Sequence, residues 1–159
     1  MLNKLSLKRL RVLQKLVLLV IACQFVVPDN AALSAPMTSR IFHAELSAEN
    51  QTRVTTSPAG GIADFKLDLT TLTLTWNVEF ERLLARPIAA SLHGPAQPGA
   101  NGLPFVNLAP AGIKSPLTGS AVLNEAQVQY LLAGWTYVNI TTKEYPYGET
   151  RGQVDVGSR

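Results

Sequence analysis

Polar and apolar residues alternate without interruption over two segments in the middle of the chain. In residues 63–69, apolar side chains occupy every second position and charged side chains lie between them. Residues 71–80 repeat the pattern, with large apolar side chains at one parity and mostly threonine at the other. A period of two over this length is typical of a β-strand with one face on a core. Because the break around Thr70 is short, the two segments predict an antiparallel hairpin.

Five further segments have strand character, and one has helical character. We predict strands at residues 42–46, 88–93, 119–123, 135–142 and 150–156. Asn124 is a suitable helix N-cap, Glu125 is favourable in the first turn, and Gly134 ends the segment. About seven short strands with one helix near 125–133 predict an all-β fold, an antiparallel β-sandwich of the immunoglobulin-like or Greek-key kind.

The positive charge of the chain is concentrated at its start. The sequence has 14 Lys and Arg against 11 Asp and Glu, a formal net charge of +3. Five of the basic residues, and no acidic one, fall within the first fifteen positions. The remainder has nine basic residues against eleven acidic ones. The pattern therefore gives no support for a basic nucleic-acid-binding face.

An apolar run at residues 16–27 follows the basic segment. It is shorter than the ~20 apolar residues that span a bilayer, and the order basic, apolar, small is that of a secretory signal peptide. Cleavage after Ala35 would make residues 1–35 a signal peptide and leader, with 36–159 a single domain. Alternatively, residues 20–23 resemble a bacterial lipobox, which would remove residues 1–22 and leave Cys23 as a lipid anchor. In both cases we expect an extracytoplasmic protein that touches the membrane only through its signal peptide or lipid.

Cysteine and histidine are scarce. The chain has one cysteine and two histidines. A single cysteine excludes an intramolecular disulfide framework and a zinc site of the multi-cysteine type. The sequence also offers no nucleophile paired with a base. We therefore expect no catalytic residue, no metal site and no cofactor, and a protein that is not an enzyme.

The two histidines have different expected surroundings. If the apolar residues of the first predicted strand face the core, His43 faces solvent and has no role. His93 ends the strand at 88–93 and opens the loop at 94–102, which holds two prolines and three glycines and is irregular. We interpret His93 as a residue that hydrogen-bonds the loop backbone, with a functional site at the strand end as the alternative.

Polar candidates are most frequent near the end of the chain. Glu149 and Arg151 are two positions apart, so on an extended strand their side chains leave the same face. They predict a local ion pair that braces a hairpin, worth about 0–1 kcal/mol if exposed, or a site for a charged partner. Asn139 could bond the neighbouring turn through its amide. Gly152 would permit a bulge or a close backbone approach.

Five short blocks occur in order along the chain. They are FHAEL at 42–46, LHGPA at 92–96, LLAG at 131–134, YVNI at 137–140 and GETRGQ at 148–153. Together with the hairpin at 61–80, they resemble the CHRD domain, a module named after chordin and found in many bacterial secreted proteins. The resemblance implies an extracytoplasmic β-sandwich or immunoglobulin-like module without an assigned general activity. It also marks a cluster of binding or structural residues: His93, Gly94, Tyr137, Asn139, Gly148, Glu149, Arg151 and Gly152.

Two positions depart from the pattern of the family. Its members often have His-Ile-His before the Gly-Pro-Ala loop and a histidine after Tyr-Val-Asn-Ile. Here Ser91 and Thr141 occupy two of those histidine positions. A metal site made from the three imidazoles would retain only His93, and one histidine is a poor foundation for copper or zinc.

These observations predict a non-enzymatic extracytoplasmic module with a binding or structural role in the cell envelope or secreted space. The expected partner is an extracytoplasmic protein or an envelope component, and not a nucleic acid. The alternative is a metal-binding or dismutase-like protein centred on His93.

Overall fold

The computed structural model of the chain describes residues 38–157. The expected signal peptide, both of its cleavage positions and Cys23 lie outside these residues. Within the described range, no helix combines the length and the apolar character needed to cross a membrane.

Nine strands and one α-helix make up the described part of the chain. In order they are β1 (Ser39–Ser47), β2 (Gly60–Asp68), β3 (Thr73–Glu81), β4 (Pro87–Gly94), β5 (Leu103–Asn107), β6 (Leu117–Val122), α1 (Glu125–Leu132), β7 (Tyr137–Thr142), β8 (Thr150–Gln153) and β9 (Asp155–Val156). A short 3-10 turn, Ala48–Asn50, follows β1.

All strands belong to one antiparallel sheet in the order β5-β4-β7-β8-β1-β2-β3-β6, and β9 pairs with β1. The sheet is nearly closed into a barrel. The prediction of an all-β antiparallel fold with one short helix is therefore confirmed. The strand pairing does not describe a sandwich of two sheets, and the number of strands is nine rather than about seven. Alternation specifies which side of a strand is buried, but it does not specify whether the strands form two sheets or curl into one.

Two of the nine strands account for the difference in number. The sequence gives no strand at β5, because Pro104 and the glycine-rich loop before it disfavour one. The predicted strand at 150–156 is divided at Val154, whose amide bonds the carbonyl of Thr136. Its first part, β8, pairs with β7, and its second part, β9, pairs with β1.

The predicted hairpin is present as β2 and β3, which pair from Gly60 opposite Glu81 to Asp68 opposite Thr73. The turn is longer than expected, and Leu72 takes a left-handed conformation with φ of 54°. Asp68 accepts the backbone N–H groups of Thr70 and Thr71 at 2.8 and 2.9 Å. These two bonds lower the pKa of the Asp68 carboxyl below its ordinary value.

The core lies on the inner face of the curved sheet. The inward residues of β1, β2 and β3 are buried at every second position, as their alternation predicts. Trp76 also donates from its indole N–H to the carbonyl of Leu108 at 3.0 Å. Gly119 of β6 stands directly opposite Trp76 and leaves room for the indole.

The helix begins as the sequence predicts. The Asn124 side chain accepts the N–H of Gln127, and the Gln127 side chain accepts the N–H of Asn124, both at 2.9 Å. This reciprocal capping box satisfies two amide groups that the helix itself leaves free. Val128 and Leu131 are buried in the core cluster.

Candidate functional site

The outward face of β7 is buried, although its alternation places it away from the core. Val138 and Ile140 face inward, so Tyr137 and Asn139 face outward, yet these two residues are only 3% and 5% exposed. Their cross-strand neighbours are His93 on β4 and Arg151 on β8. We call the outward side chains of this region the polar face; they are His93, Tyr137, Asn139, Glu149, Arg151 and Gln153.

Three irregular segments cover the polar face. They are the β1–β2 loop at residues 48–59, the β4–β5 loop at residues 95–102 and the β7–β8 turn at residues 143–148, just before Glu149. Irregular segments carry backbone groups that need hydrogen-bond partners when they are buried. The polar face provides many of these partners.

Glu149 is fully buried and holds three parts of the chain together. Its carboxylate accepts the hydroxyl of Ser57 at 2.7 Å, the hydroxyl of Thr142 at 2.7 Å and the backbone N–H of Leu84. All three partners are neutral donors. A carboxylate with several such donors is well satisfied without a cation.

Asn139 joins the β1–β2 loop to the β7–β8 turn. Its side-chain oxygen accepts from Gln51 at 2.9 Å, and its amide nitrogen donates to the carbonyl of Tyr147 at 3.1 Å. Gly148 lies directly beside this pair with a φ of +133°. A Cβ there would overlap both Asn139 and Gln51. The glycine is therefore required by both its conformation and its surroundings.

Arg151 holds the β4–β5 loop and is only 2% exposed. Its guanidinium donates to the carbonyl of Ala100 at 2.6 Å and to the side-chain oxygen of Asn101 at 3.1 Å. It also lies over the ring of Tyr137, 3.4 Å from the ring centroid. Burial lowers the pKa of Arg151, an effect that Tyr137 opposes.

The predicted ion pair between Glu149 and Arg151 is not formed. Among residues 38–157, Arg82 forms an ion pair with Glu81, and His43 lies within hydrogen-bond distance of Asp64. Glu149 and Arg151 instead bind different loops, which supply closer partners than the two residues offer each other. His43 lies on the outer surface of β1 at half exposure, in contact with Asp64 at 2.9 Å.

His93 and Tyr137 bind the end of the β4–β5 loop together. Nδ1 of His93 lies 3.0 Å from the carbonyl oxygen of Gly102. Because a carbonyl oxygen only accepts, Nδ1 carries the proton. The Tyr137 hydroxyl contacts the N–H and the carbonyl of Gly102 at 3.2 Å each. The two rings stack with centroids 4.9 Å apart.

Burial lowers the pKa of His93, and the nearby positive charge of Arg151 acts in the same direction. The hydrogen bond to Gly102 opposes them. The imidazole is therefore held in its neutral form at neutral pH, with Nε2 as an acceptor.

The two remaining glycines of the family-motif cluster lie where backbones come close. At Gly152, a Cβ would come within 2.5 Å of the carbonyl oxygen of Glu45 on β1. At Gly94, a Cβ would come within 2.9 Å of the carbonyl oxygen of Trp135. The polar members of the predicted cluster thus lie on the polar face, whereas Gly94 and Gly152 lie within the strands that carry it.

A cleft of about 310 Å³ opens between the three covering segments. Its floor includes His93, Tyr137, Asn139 and Thr141, the last of which occupies one of the family's histidine positions. Its rim includes Thr52 and Arg53 from the β1–β2 loop and Tyr147 from the β7–β8 turn. The guanidinium of Arg53 lies 3.8 Å from the centroid of the Tyr147 ring.

Sequence reasoning misses the residues that the covering loops contribute. Ser57, Gln51 and Asn101 bind polar-face residues 92, 88 and 50 positions away, respectively. No local pattern reports contacts at such separations. The one available signal was the run of hydroxyl residues in the β1–β2 loop, which includes Thr55, Thr56 and Ser57.

The described range offers few side chains that could form the metal site of the alternative hypothesis. Across residues 38–157, there is no group of three or more His, Cys, Asp and Glu side chains able to hold a metal ion. His93 would be the sole imidazole in the cleft, with Thr141 at the position where the family often has another.

A comparison with known families covers the part of the chain that holds the polar face. The CHRD domain family model matches residues 42–154, which is well over half of the chain. The chain therefore belongs to the CHRD domain family. Neither a curated protein nor a solved structure matches it.

Proposed function

We propose that this chain is a non-enzymatic binding module that works outside the cytoplasm and that it binds its partner in the cleft over the polar face. The observation that carries the proposal is that three separate loops are fixed around one cleft by buried polar side chains. Asn139 and Arg151 direct their polar atoms to loop groups, and Glu149 accepts from Ser57 and Leu84 in loops and from Thr142 at the end of β7. These residues act as supports, and the exposed rim is left to meet a ligand.

A rim held in this way favours binding for a physical reason. Loops that are already ordered lose little conformational entropy when a ligand binds, so more of the interaction energy remains as affinity. Tyr147 is 68% exposed on this rim. An exposed tyrosine beside an arginine is typical of the residues that carry binding energy in protein interfaces.

The binding proposal is tested by capture from a solubilised envelope fraction of the producing cells. The purified mature protein is immobilised, either unchanged or with Arg53→Gln combined with Tyr147→Ser. Arg86→Gln serves as the matched control, because Arg86 is exposed and lies outside the cleft. We expect one component to be retained by the unchanged protein and the control but lost from the double variant. If no component distinguishes the proteins in this way, the binding proposal fails.

The extracytoplasmic location is tested separately by fractionation and intact mass spectrometry of the mature protein. A new N-terminus at residue 36, or an acylated Cys23, would support export. An unprocessed chain recovered with the cytoplasmic fraction would contradict it. The same spectra, recorded under native conditions, would reveal a bound metal and so test the alternative centred on His93.

A further inference from the structure

The cleft has the charge pattern of a site for an anion. None of the ten residues that line it is an aspartate or a glutamate. Arg53 lies on the rim, and no carboxylate within residues 38–157 comes within ion-pair distance of it. A guanidinium with no carboxylate partner is a ready donor to one, because its planar fork matches the two oxygens.

The orientation of Arg53 is partly fixed before a ligand arrives. Its guanidinium stacks on Tyr147 at 3.8 Å, which is a favourable cation–π distance. Behind the floor, Arg151 adds a second positive charge next to the Tyr137 ring. Its hydrogen-bond partners, Ala100 and Asn101, are neutral, so its charge is not cancelled locally.

The floor of the cleft offers neutral hydrogen-bonding groups. Nδ1 of His93 is engaged by Gly102, so Nε2 is the ring nitrogen left for a ligand in the cleft that His93 lines. As an unprotonated nitrogen it accepts from a hydroxyl group. The Thr141 hydroxyl donates to the carbonyl of Ala89 at 3.4 Å, which leaves its oxygen able to accept a hydrogen bond from a ligand hydroxyl. These groups suit a ligand that carries hydroxyls beside its carboxylate.

We propose that the cleft binds a uronic acid residue of an acidic polysaccharide, with the sugar carboxylate on Arg53 and sugar hydroxyls on His93 and Thr141. A sugar combines the two chemistries that the cleft presents, and Tyr147 provides an aromatic surface at the rim. The volume of about 310 Å³ is small for a binding cleft and suits one residue of a polymer. This inference rests on the proposed function and names the class of its ligand.

An acidic peptide is the competing occupant. It would satisfy Arg53 but would bring no row of hydroxyls to the neutral imidazole of His93 and to Thr141. The observations therefore favour the saccharide, and the peptide becomes one arm of the test.

The test is isothermal titration calorimetry of the mature protein with three probes: trigalacturonate, the neutral trimer galactotriose and the peptide triglutamate. We expect trigalacturonate to bind and the other two to bind at least tenfold more weakly. Arg53→Gln should weaken trigalacturonate binding by about tenfold or more, which corresponds to the loss of about 1.4 kcal/mol. Thr141→Val should weaken it as well, whereas Arg86→Gln should leave it unchanged.

Thermal unfolding of each variant separates loss of binding from loss of fold, and because Arg53 is exposed its variant should melt like the unchanged protein. Equal affinity for galactotriose, equal affinity for triglutamate, or no binding of trigalacturonate would each overturn the inference. So would an envelope component that is captured through the cleft but contains no acidic sugar. That last result would leave the proposed function intact, whereas capture of no component through the cleft counts against the function itself.

Discussion

Glu149 shows how a single buried residue fixes several parts of this molecule. Its carboxylate has three donors, from Ser57, Leu84 and Thr142, and no cation. The importance of such a residue lies in the donors that would be stranded without it, because an unsatisfied buried donor costs about 1–3 kcal/mol. Removing His93 should have a smaller cost of the same kind, because its side chain is only partly buried.

We therefore expect Glu149→Leu to destabilise the protein by at least about 3 kcal/mol, because it leaves three buried hydrogen-bond donors without an acceptor. Glu149→Gln should cost clearly less, because it keeps one acceptor oxygen for Ser57 and Leu84, and the Thr142 hydroxyl can rotate to accept from the new amide. Urea denaturation of both variants measures the difference. Equal stability of the two variants would contradict the account of Glu149 as a hydrogen-bond acceptor.

His93 gives a prediction about pH. Its pKa in the folded protein is lowered from the ordinary value of about 6.5. The unfolded chain therefore takes up a proton at a higher pH than the folded one. The stabilisation associated with neutral His93 is complete above about pH 6.5 and is lost as the pH falls through the folded pKa.

The measurement is the free energy of unfolding of the unchanged protein and of His93→Asn between pH 8 and pH 5. The unchanged protein should lose more stability on acidification than the variant. His43 is present in both proteins, so its contribution cancels in the comparison. Parallel curves for the two proteins would show that His93 is not perturbed by burial and by Arg151.

At the level of the elements, β3 and β6 fit closely together at one position. Gly119 stands opposite Trp76, and a Cβ at Gly119 would come within 2.5 Å of the indole. Gly119→Ala should therefore destabilise the protein by about 1–3 kcal/mol through overpacking. Ser120→Ala, on the exposed side of the same strand, is the control and should change stability by less than about 0.5 kcal/mol. The midpoints of denaturant-induced unfolding measure the stabilities of the two variants. Similar midpoints would argue against a tight contact between Gly119 and Trp76.

The elements were also the most predictable level of the structure. Alternation gave β2 and β3, and the cap at Asn124 gave α1, because these signals depend only on near neighbours in the chain. The strand β5 was missed because Pro104 weakens its local signal, although pairing with β4 makes it a strand in the folded molecule. The division of residues 150–156 at Val154 depends on two different partner strands, and no local pattern contains that information.

At the level of the whole molecule, the curved sheet separates two kinds of interior. The concave side encloses the apolar core, and the convex side at β4, β7 and β8 carries the polar face beneath its loops. The sequence indicated every member of this face except Gln153, through the resemblance to the family and the spacing of Glu149 and Arg151. It did not indicate their partners, because Ser57 and Asn101 reach the face only when distant segments fold together.

Because the polar face and the apolar core lie on opposite sides of the sheet, a substitution in the polar face should affect the loops that cover it more than the core strands. Asn139→Leu removes the hydrogen bonds to Gln51 and Tyr147. We expect hydrogen–deuterium exchange to become about tenfold or more faster in the β1–β2 loop and the β7–β8 turn, with little change in β2 and β3. Asn77→Leu, a residue of β3 that bonds only Glu79 among the described side chains, is the control and should leave both loops unchanged. Uniform acceleration across the sheet would contradict the separation of the two interiors.

The long chain separations at the polar face also bear on how the protein is made. During synthesis, the β1–β2 and β4–β5 loops leave the ribosome well before Glu149 and Arg151, the residues that will hold them. A nascent chain that already contains β1 to β6 therefore displays both loops without their side-chain partners. The rim of the cleft can be completed only after the β7–β8 hairpin has been added, so two of its three loops depend on residues that come late in the chain.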